Sequence, residues 1–410
     1  MCGISGVIEK KLCNKTILQK MAGKIHHRGP DDSGFWMDVK NGVGLSHARL
    51  SIQDLSKNGS QPMLSKKSRF VIVFNGEIYN HLELRAQINH NSSVPIHWIG
   101  SSDTETLLAC FEEWGISNTL EKCVGMFSLA VWDKNKKCLS LSRDRFGEKP
   151  LYYGYQGKTF LFGSELKALK QHPAFSSTID RNALSSFFHY GYIPNPQSIY
   201  KGIKKLAPGS IAEIYLDGNQ KINIYEYFNY FNTLNIGQQS LFMGKDSDAI
   251  NSLDKILMNA VESQKISDVP LGAFLSGGID SSLIVAMMQK KTKNPISTFT
   301  IGYDESNFNE ASYAKNIASY LGTNHREKIV SPQEAIEVID HLSFIYDEPF
   351  ADSSQIPTYL VSKLAREHVT VSLSGDGADE IFGGYNRYLW TDSIASMPKS
   401  LRKPISSILT

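Results

Sequence analysis

Leu271-Gly-Ala-Phe-Leu-Ser-Gly-Gly-Ile-Asp-Ser-Ser282 starts as a short apolar run, breaks at Ser276 into glycines and hydroxyls, and continues into a helical pattern. A strand that turns through small residues into a helix gathers backbone N–H groups, hydroxyls and a positive helix end around one concavity, which suits an anion. The glycines let the backbone approach a phosphate, the three serines add donors, and Asp280 is placed to hold the Mg²⁺ that accompanies a nucleotide. A plain glycine-rich turn capped by serine fits the same letters. A Walker loop does not, because no Gly-Lys-Ser/Thr follows.

Outward from this loop the pattern alternates: strand Leu271–Leu275, helix Ser281–Lys290, strand Ser297–Ile301, helix Glu310–Leu321, strand His325–Val330, helix Gln333–Leu342, helix Pro357–Glu367 and strand Val369–Leu373. That order predicts a mainly parallel sheet with right-handed crossovers and ligands at its carboxyl edge. A second strand-loop-helix, Val369-Thr-Val-Ser-Leu-Ser-Gly-Asp-Gly-Ala-Asp-Glu380, repeats the design. Its acids Asp376, Asp379 and Glu380 fit either helix-dipole partners or a metal and proton-transfer site.

Residues 1 to about 205 have another rhythm. Short apolar runs such as Arg69–Phe74, Met126–Trp132, Cys138–Ser142, Leu151–Tyr153 and Thr159–Phe162 alternate with turns, and helical stretches near 16–25 and 103–114 interrupt them. Sheets packed with helices are expected, with the linker at Gly237–Ser240. Asn75-Gly76 at the end of one run reads equally as a hairpin turn or as a side-chain amide and backbone N–H forming an oxyanion hole. Asp103 sits in Ser102-Asp-Thr-Glu105, which also fits a capping box. Arg49 is either a surface residue or a clamp for a carboxylate.

The chain begins Met1-Cys2-Gly3. Removal of Met1 would leave Cys2 with a thiol nucleophile and, in its own α-amine of ordinary pKa about 7.7–8, a base. The 43 basic and 41 acidic residues give a formal charge of +2, so electrostatic capture of nucleic acid or an anionic membrane is not indicated. Five cysteines without metal or disulfide spacing fit a reducing, cytoplasmic setting. There is no basic-then-apolar leader, and no apolar run approaches the roughly 20 residues of a membrane helix.

Taken together, Met1–Gly6, His27-Arg-Gly-Pro-Asp31, His47-Ala-Arg-Leu-Ser51, Phe74-Asn-Gly-Glu-Ile-Tyr-Asn80, Arg143-Asp-Arg-Phe-Gly-Glu-Lys-Pro150, Phe162-Gly-Ser-Glu165, Ser276–Ser282 and Ser374–Tyr385 resemble the glutamine-dependent asparagine synthetases of the bacterial class. The loop at Ser276 likewise resembles the pyrophosphate loop of ATP pyrophosphatases. The resemblance implies an α+β four-layer sandwich over 1–228, an N-terminal-nucleophile glutaminase, followed over 229–410 by an α/β ATP-pyrophosphatase-like parallel-sheet domain. It further implies an internal tunnel carrying ammonia between them. By resemblance Cys2 attacks the glutamine amide, Asn75 and Gly76 hold the oxyanion, and Arg49, Asn75, Glu77 and Asp103 bind glutamine. Leu275, Ser276, Gly277, Gly278, Asp280, Ser281, Ser282, Ile301, Ser374 and Gly375 would bind ATP. Asp280 and Asp379 would hold Mg²⁺, and Asp376 would take a proton from the attacking ammonia.

The expected substrates are glutamine and aspartate, with a homodimer left open as the assembly. Other carboxylate acceptors, such as a sugar uronate, fit the same residues. A non-catalytic glutamine or nucleotide regulator is the rival of another class, and a retained Met1 would favour it. Asp347–Ser354 is acidic and polar, but no residue in it is identified as a clamp for the acceptor. The resemblance also implies further helices and a lysine beyond Thr410, so the second domain is expected to be incomplete.

Overall fold

The computed structural model describes residues 1–9, 14–91, 96–216, 218–304 and 309–398. Two compact units divide it: Met1–Val269 with Ile336–Ile356, and Pro270–Ala335 with the residues from Pro357 onward. No helix among the described residues is long and apolar enough to cross a membrane.

The first unit is built on two six-stranded sheets. One runs Ile203–Lys205, Tyr152–Gln156, Thr159–Gly163, Gly3–Ile8, Val43–Arg49, Asp32–Asp38; the other runs Ile222–Glu226, Ser210–Tyr215, Cys138–Arg143, Gly125–Asp133, Phe70–Ile78, Met63–Leu64. The strands Phe70–Ile78 and Gly3–Ile8 are apolar on both faces, so each sheet must be covered twice. Val71 and Val73 meet Ile4, Val43, Leu45 and Phe162 between the sheets. Phe70, Ile72 and Phe74, one residue out of step, meet Leu107, Phe111 and Leu84 of the helices Asp103–Trp114 and His81–Asn91. On the far side Val7, Ala48 and Leu161 pack on Leu18 and Leu169 of the helices Lys15–Lys24 and Leu166–Leu169. Each fully buried side chain of this kind contributes about 1.5–3 kcal/mol relative to an exposed one. The result is the expected four-layer sandwich, helices outside and two sheets inside.

Asn75-Gly76 is not a hairpin turn. Both residues lie inside the strand Phe70–Ile78, opposite Ser128 and Phe127. Gly76 is required there because a Cβ would run into the Met126 carbonyl and come within 2.6 Å of the Phe127 Cα. The stretch Gly237–Ser240, expected to carry the linker, closes a helix Tyr230–Gln239 whose N-cap Asn229 accepts from Asn232 N at 3.1 Å. Side chains 230–248 are all exposed.

The second unit holds a parallel sheet in the order Asn324–Val330, Ser297–Tyr303, Leu271–Phe274, Val371–Leu373. From Leu271–Phe274 the chain steps outward twice and then returns to that strand's other edge. This reversal is a topological switch point, and ligands of open α/β sheets bind outside the carboxyl ends of the strands there. The helices Ile279–Lys290 and Ala311–Leu321 match expectation within two residues, and Gln355–Arg366 begins two residues before Pro357, which is tolerated in a first helical turn.

Candidate active site

Three strand ends of the first unit meet at one pocket with about 530 Å³ of open space. Cys2 leads into Gly3–Ile8, Arg49 ends Val43–Arg49, and Asn75, Gly76 and Glu77 lie toward the end of Phe70–Ile78. Asp103, the first residue of its helix, completes the expected set, and all six line the pocket.

The Cys2 thiol is held at Leu50, whose N–H donates to Sγ at 3.4 Å while the thiol faces its carbonyl at 3.5 Å. Burial pushes the thiol pKa up, against the Leu50 N–H, the chain's N-terminal ammonium and the Arg49 guanidinium. It therefore rests as a thiol and needs a base to become a nucleophile. Arg49 is buried, donating to the carbonyls of Ser56 at 2.9 Å and Asp54. Gly59 makes room for it, since a Cβ would strike the guanidinium.

Asn75 is fully buried, yet neither its amide nitrogen nor its amide oxygen has a hydrogen-bond partner among the described residues. An orphaned buried amide costs about 1–3 kcal/mol, so its retention beside the thiol marks a site built for something that binds there.

Two acids face that spot. Burial, reinforced by Asp103, raises Glu77 to about 7. Burial raises Asp103 to about 6, opposed by the N–H of Ile78, which donates to its carboxylate at 2.9 Å. The first turn of a helix thus also pins Asp103 to the strand end, while Ser102 is the cap and accepts from Glu105 N at 3.3 Å. Two buried carboxylates sharing one pocket invite a cationic group.

Several lining residues carried no sequence signal as site residues. Gln53 has both side-chain polar atoms buried without a partner among the described residues. Gln61 accepts from Phe74 N at 2.7 Å and so fixes the residue before Asn75. His47, which does not line the pocket, supports it by donating from Nε2 to the carbonyl of the lining residue Phe74 at 3.1 Å; burial lowers it to about 4 and keeps it neutral. Lys149, its pKa lowered by burial, lies at 2.7 Å from the Met126 sulfur and also faces the pocket. His47 and Lys149 stand in quoted motifs, which was the one clue available.

In the second unit the loop after Leu271–Phe274 closes on itself. The Ser276 and Ser281 hydroxyls are 2.9 Å apart, Gly278 N donates to Ser276 Oγ at 3.3 Å, and Ser282 Oγ donates to the Gly278 carbonyl at 2.6 Å. Gly277 has φ +89°, and a Cβ on it would meet Ala314 N at 2.9 Å. The second expected loop lies beside the first: a Cβ on Gly375 would come within 2.8 Å of Ser281 N and 3.1 Å of the Asp280 Cβ. Leu275 N donates to the Phe299 carbonyl at 3.0 Å, two residues before Ile301, and Ser374 Oγ donates to Asp376 at 3.0 Å. Asp379 lies in the short helix Ala378–Phe382 that follows. Among the described residues no three His, Cys, Asp or Glu side chains gather as a complete metal cage. Asp280 and Asp379 each offer a hard carboxylate oxygen, the donor type suited to a cation that takes its remaining oxygens from phosphate and water, as Mg²⁺ does.

Comparison with known proteins gives two matches along the chain: a glutamine amidotransferase domain over residues 1–228 and asparagine synthase over 252–407. The chain is 36% identical to asparagine synthetase (glutamine-hydrolysing) 1 of Bacillus subtilis, across 98% of this chain and 62% of that protein. It is 38% identical to a Methanocaldococcus jannaschii protein whose name carries the same activity as a provisional assignment, across 98% of this chain and 79% of that one. Among solved structures it is similar to B. subtilis glutamine phosphoribosylpyrophosphate amidotransferase at 15% identity and a TM-score of 0.42, with 80% of this chain and 65% of that chain covered.

Proposed function

We propose, for a chain that belongs to the family of glutamine-hydrolysing asparagine synthetases, that the first unit releases ammonia from glutamine at Cys2 and the second uses it to amidate aspartate at the cost of ATP. The observation that carries the reading is the buried, unpartnered Asn75 amide in the same pocket as the Cys2 thiol.

In this reading the α-amine exposed by removal of Met1 takes the thiol proton, and the sulfur bonds to the amide carbon of glutamine. The developing oxyanion lies against the Asn75 amide and the Gly76 N–H, donors fixed before the charge appears. The proton passes to the departing nitrogen, the C–N bond breaks, ammonia leaves, and water cleaves the thioester to glutamate. Arg49 pairs with the glutamine α-carboxylate, and Glu77 with Asp103 holds its α-ammonium. In the second unit a β-carboxylate oxygen of aspartate bonds to the α-phosphorus of ATP as the bond to pyrophosphate breaks. Ser276, Gly277, Gly278, Ser281 and Ser282 cradle the departing pyrophosphate, while Leu275, Ile301, Ser374 and Gly375 border the nucleoside. Mg²⁺ held by Asp280 and Asp379 would neutralise phosphate charge. Ammonia then attacks the acyl carbon of β-aspartyl-AMP, AMP leaves, and the Asp376 carboxylate accepts the proton.

The test measures glutamate and pyrophosphate in the same samples of the full-length protein with glutamine, ATP and Mg²⁺, with and without aspartate. Aspartate-dependent pyrophosphate is expected; glutamate formation without it under any aspartate concentration defeats the assignment of the acceptor. In the same assay Asp280→Ala is expected to lower pyrophosphate release at least about a hundredfold, since it removes a proposed metal ligand, while glutamate formation stays. Unchanged release would remove Asp280 from the site.

The acid pair sets a pH dependence. Both carboxyls sit above their ordinary values, so the folded state holds extra protons near pH 5 to 6 and sheds them toward pH 8. Glutamine's ammonium is attracted only to the ionised pair. The rise in thermal midpoint that glutamine gives the Cys2→Ala variant is therefore expected to be larger at pH 8 than at pH 5.5. An equal shift at both values would mean the pair does not hold the ammonium.

A further inference from the structure

Three stretches stand outside the mechanism above: His27–Asp31, Phe162–Glu165 and the acidic Asp347–Ser354. The first unit joins them. Arg28 Nε donates to the Cys2 carbonyl at 3.0 Å, and its Nη1 pairs with Glu165 at 2.7 Å. Glu165 also pairs with Lys167, and the Lys167 ammonium reaches Asp347 Oδ1 at 3.3 Å. The backbone N–H of Lys167 donates to Asp347 Oδ2 at 3.0 Å, so both oxygens of that carboxylate are engaged across 180 residues of sequence. The four charged side chains are only 10–13% exposed. Burial works to raise Glu165, but His27, Arg28 and Lys167 outweigh it and bring it down to about 2. Burial raises Asp347 against the pull of Lys167.

The charges alternate as Arg28⁺, Glu165⁻, Lys167⁺, Asp347⁻, two of each sign. Removing one member of a buried ionic set leaves its neighbour uncompensated, which is far costlier than removing an opposite pair together. Without Asp347, Glu165 is the one carboxylate left to Lys167 among the described residues, so Lys167 draws harder on an acid that already serves Arg28. Its hold on Arg28 weakens, and with it the hydrogen bond that fixes the Cys2 carbonyl. A second clip offers a control. Glu348 pairs with Lys205 at 2.6 Å and accepts from Ile199 N at 2.7 Å, and among the described residues no hydrogen bond or ion pair joins it to Arg28.

We propose that Asp347 is a positioning residue for the Cys2 nucleophile, acting through Lys167, Glu165 and Arg28. The proposal rests on the reading of Cys2 as the glutaminase nucleophile. It assigns Asp347 to the thiol site rather than to capture of the acceptor.

The test uses the full chain and two readouts: kcat and KM for glutamate formation, and the rate at which iodoacetamide alkylates Cys2, followed by peptide mass. Asp347→Asn is expected to lower kcat about tenfold with KM within about twofold, and to speed Cys2 alkylation at least about threefold. Lys167→Met with Asp347→Asn removes one charge of each sign, so it is expected to bring both readouts back to within about threefold of the parent. Glu348→Gln is expected to lower the thermal midpoint yet leave alkylation unchanged. Parent-like kcat and alkylation in Asp347→Asn overturn the proposal, as does a double variant no better than the single, or a Glu348→Gln variant with the same alkylation signature. If Asp347→Asn does not fold, Arg28→Lys decides, because it keeps the charge but cannot serve Cys2 and Glu165 together. The same kcat and alkylation signature supports the proposal, and parent values overturn it. A parent that makes no glutamate from glutamine defeats the functional reading instead, and the alkylation comparison still decides the positioning role.

Discussion

Cys2→Ala is expected to reduce glutamine hydrolysis at least about a thousandfold while leaving aspartate amidation driven by added ammonia near the parent rate. The loss is large because nothing else in the pocket can form the thioester. Cys110, Cys123 and Cys138 are buried elsewhere, with thiols raised by burial. Ammonia bypasses the pocket, so the adenylating site needs no sulfur. The measurement is glutamate release with glutamine, and pyrophosphate release with ammonium chloride, ATP and aspartate. Equal loss of both would defeat the division of labour between Cys2 and the loops at Ser276 and Ser374. The same protein carries a check on the base: the mass of the active parent should lack one methionine, because a retained Met1 keeps the thiol but takes away the α-amine beside it. A fully active chain that keeps Met1 would require another base.

Asn75→Ala is expected to lower kcat for glutamine about 10²–10³-fold with little change in KM, the usual consequence of deleting one oxyanion donor. Its effect on stability should be small, within about 1 kcal/mol. The amide bonds nothing among the described residues, so its removal relieves a buried polar group instead of breaking a hydrogen bond. Steady-state kinetics and thermal melting on one preparation separate these effects. A variant with the parent's kcat would remove the amide from the reaction. A variant that loses kcat only in proportion to a fallen melting point would make Asn75 a structural residue.

What could be read from the letters follows how local each signal is. Leu271–Ser282 declares itself because an apolar run, a φ-positive glycine and a helix start are adjacent in sequence. The parallel sheet follows from alternation alone. Asn75-Gly76 could not be settled this way, since the dipeptide has the same local meaning in a hairpin and in a strand. Only its pairing with Ser128 and Phe127, some fifty residues on, decides it. Gln53 was invisible because an unpartnered side chain is defined by what surrounds it. Asp347 and Glu348 were legible as acids but not as clips, for their partners Lys167 and Lys205 lie in a different part of the chain. The helix Tyr230–Gln239 was missed because the glycine at 237 reads as an opening, whereas Asn229 has already capped the helix and Gly237 falls in its last turn.

The first unit draws Ile336–Ile356 from beyond the first strands of the second, and this has a consequence for synthesis on the ribosome. When residue 228 has been added, Lys167 and Lys205 are already in place but Asp347 and Glu348 have not yet been made. At ~5–20 residues per second the missing acids follow about 6–24 s later. Through that interval Lys205 waits for Glu348 and Lys167 has Glu165 but not yet Asp347, so the thiol end of the chain lacks its last restraint. The nucleophile is thus the first side chain translated after the initiator and, on the positioning proposal, among the last to be locked, so full activity awaits the residues that complete the clip at Asp347.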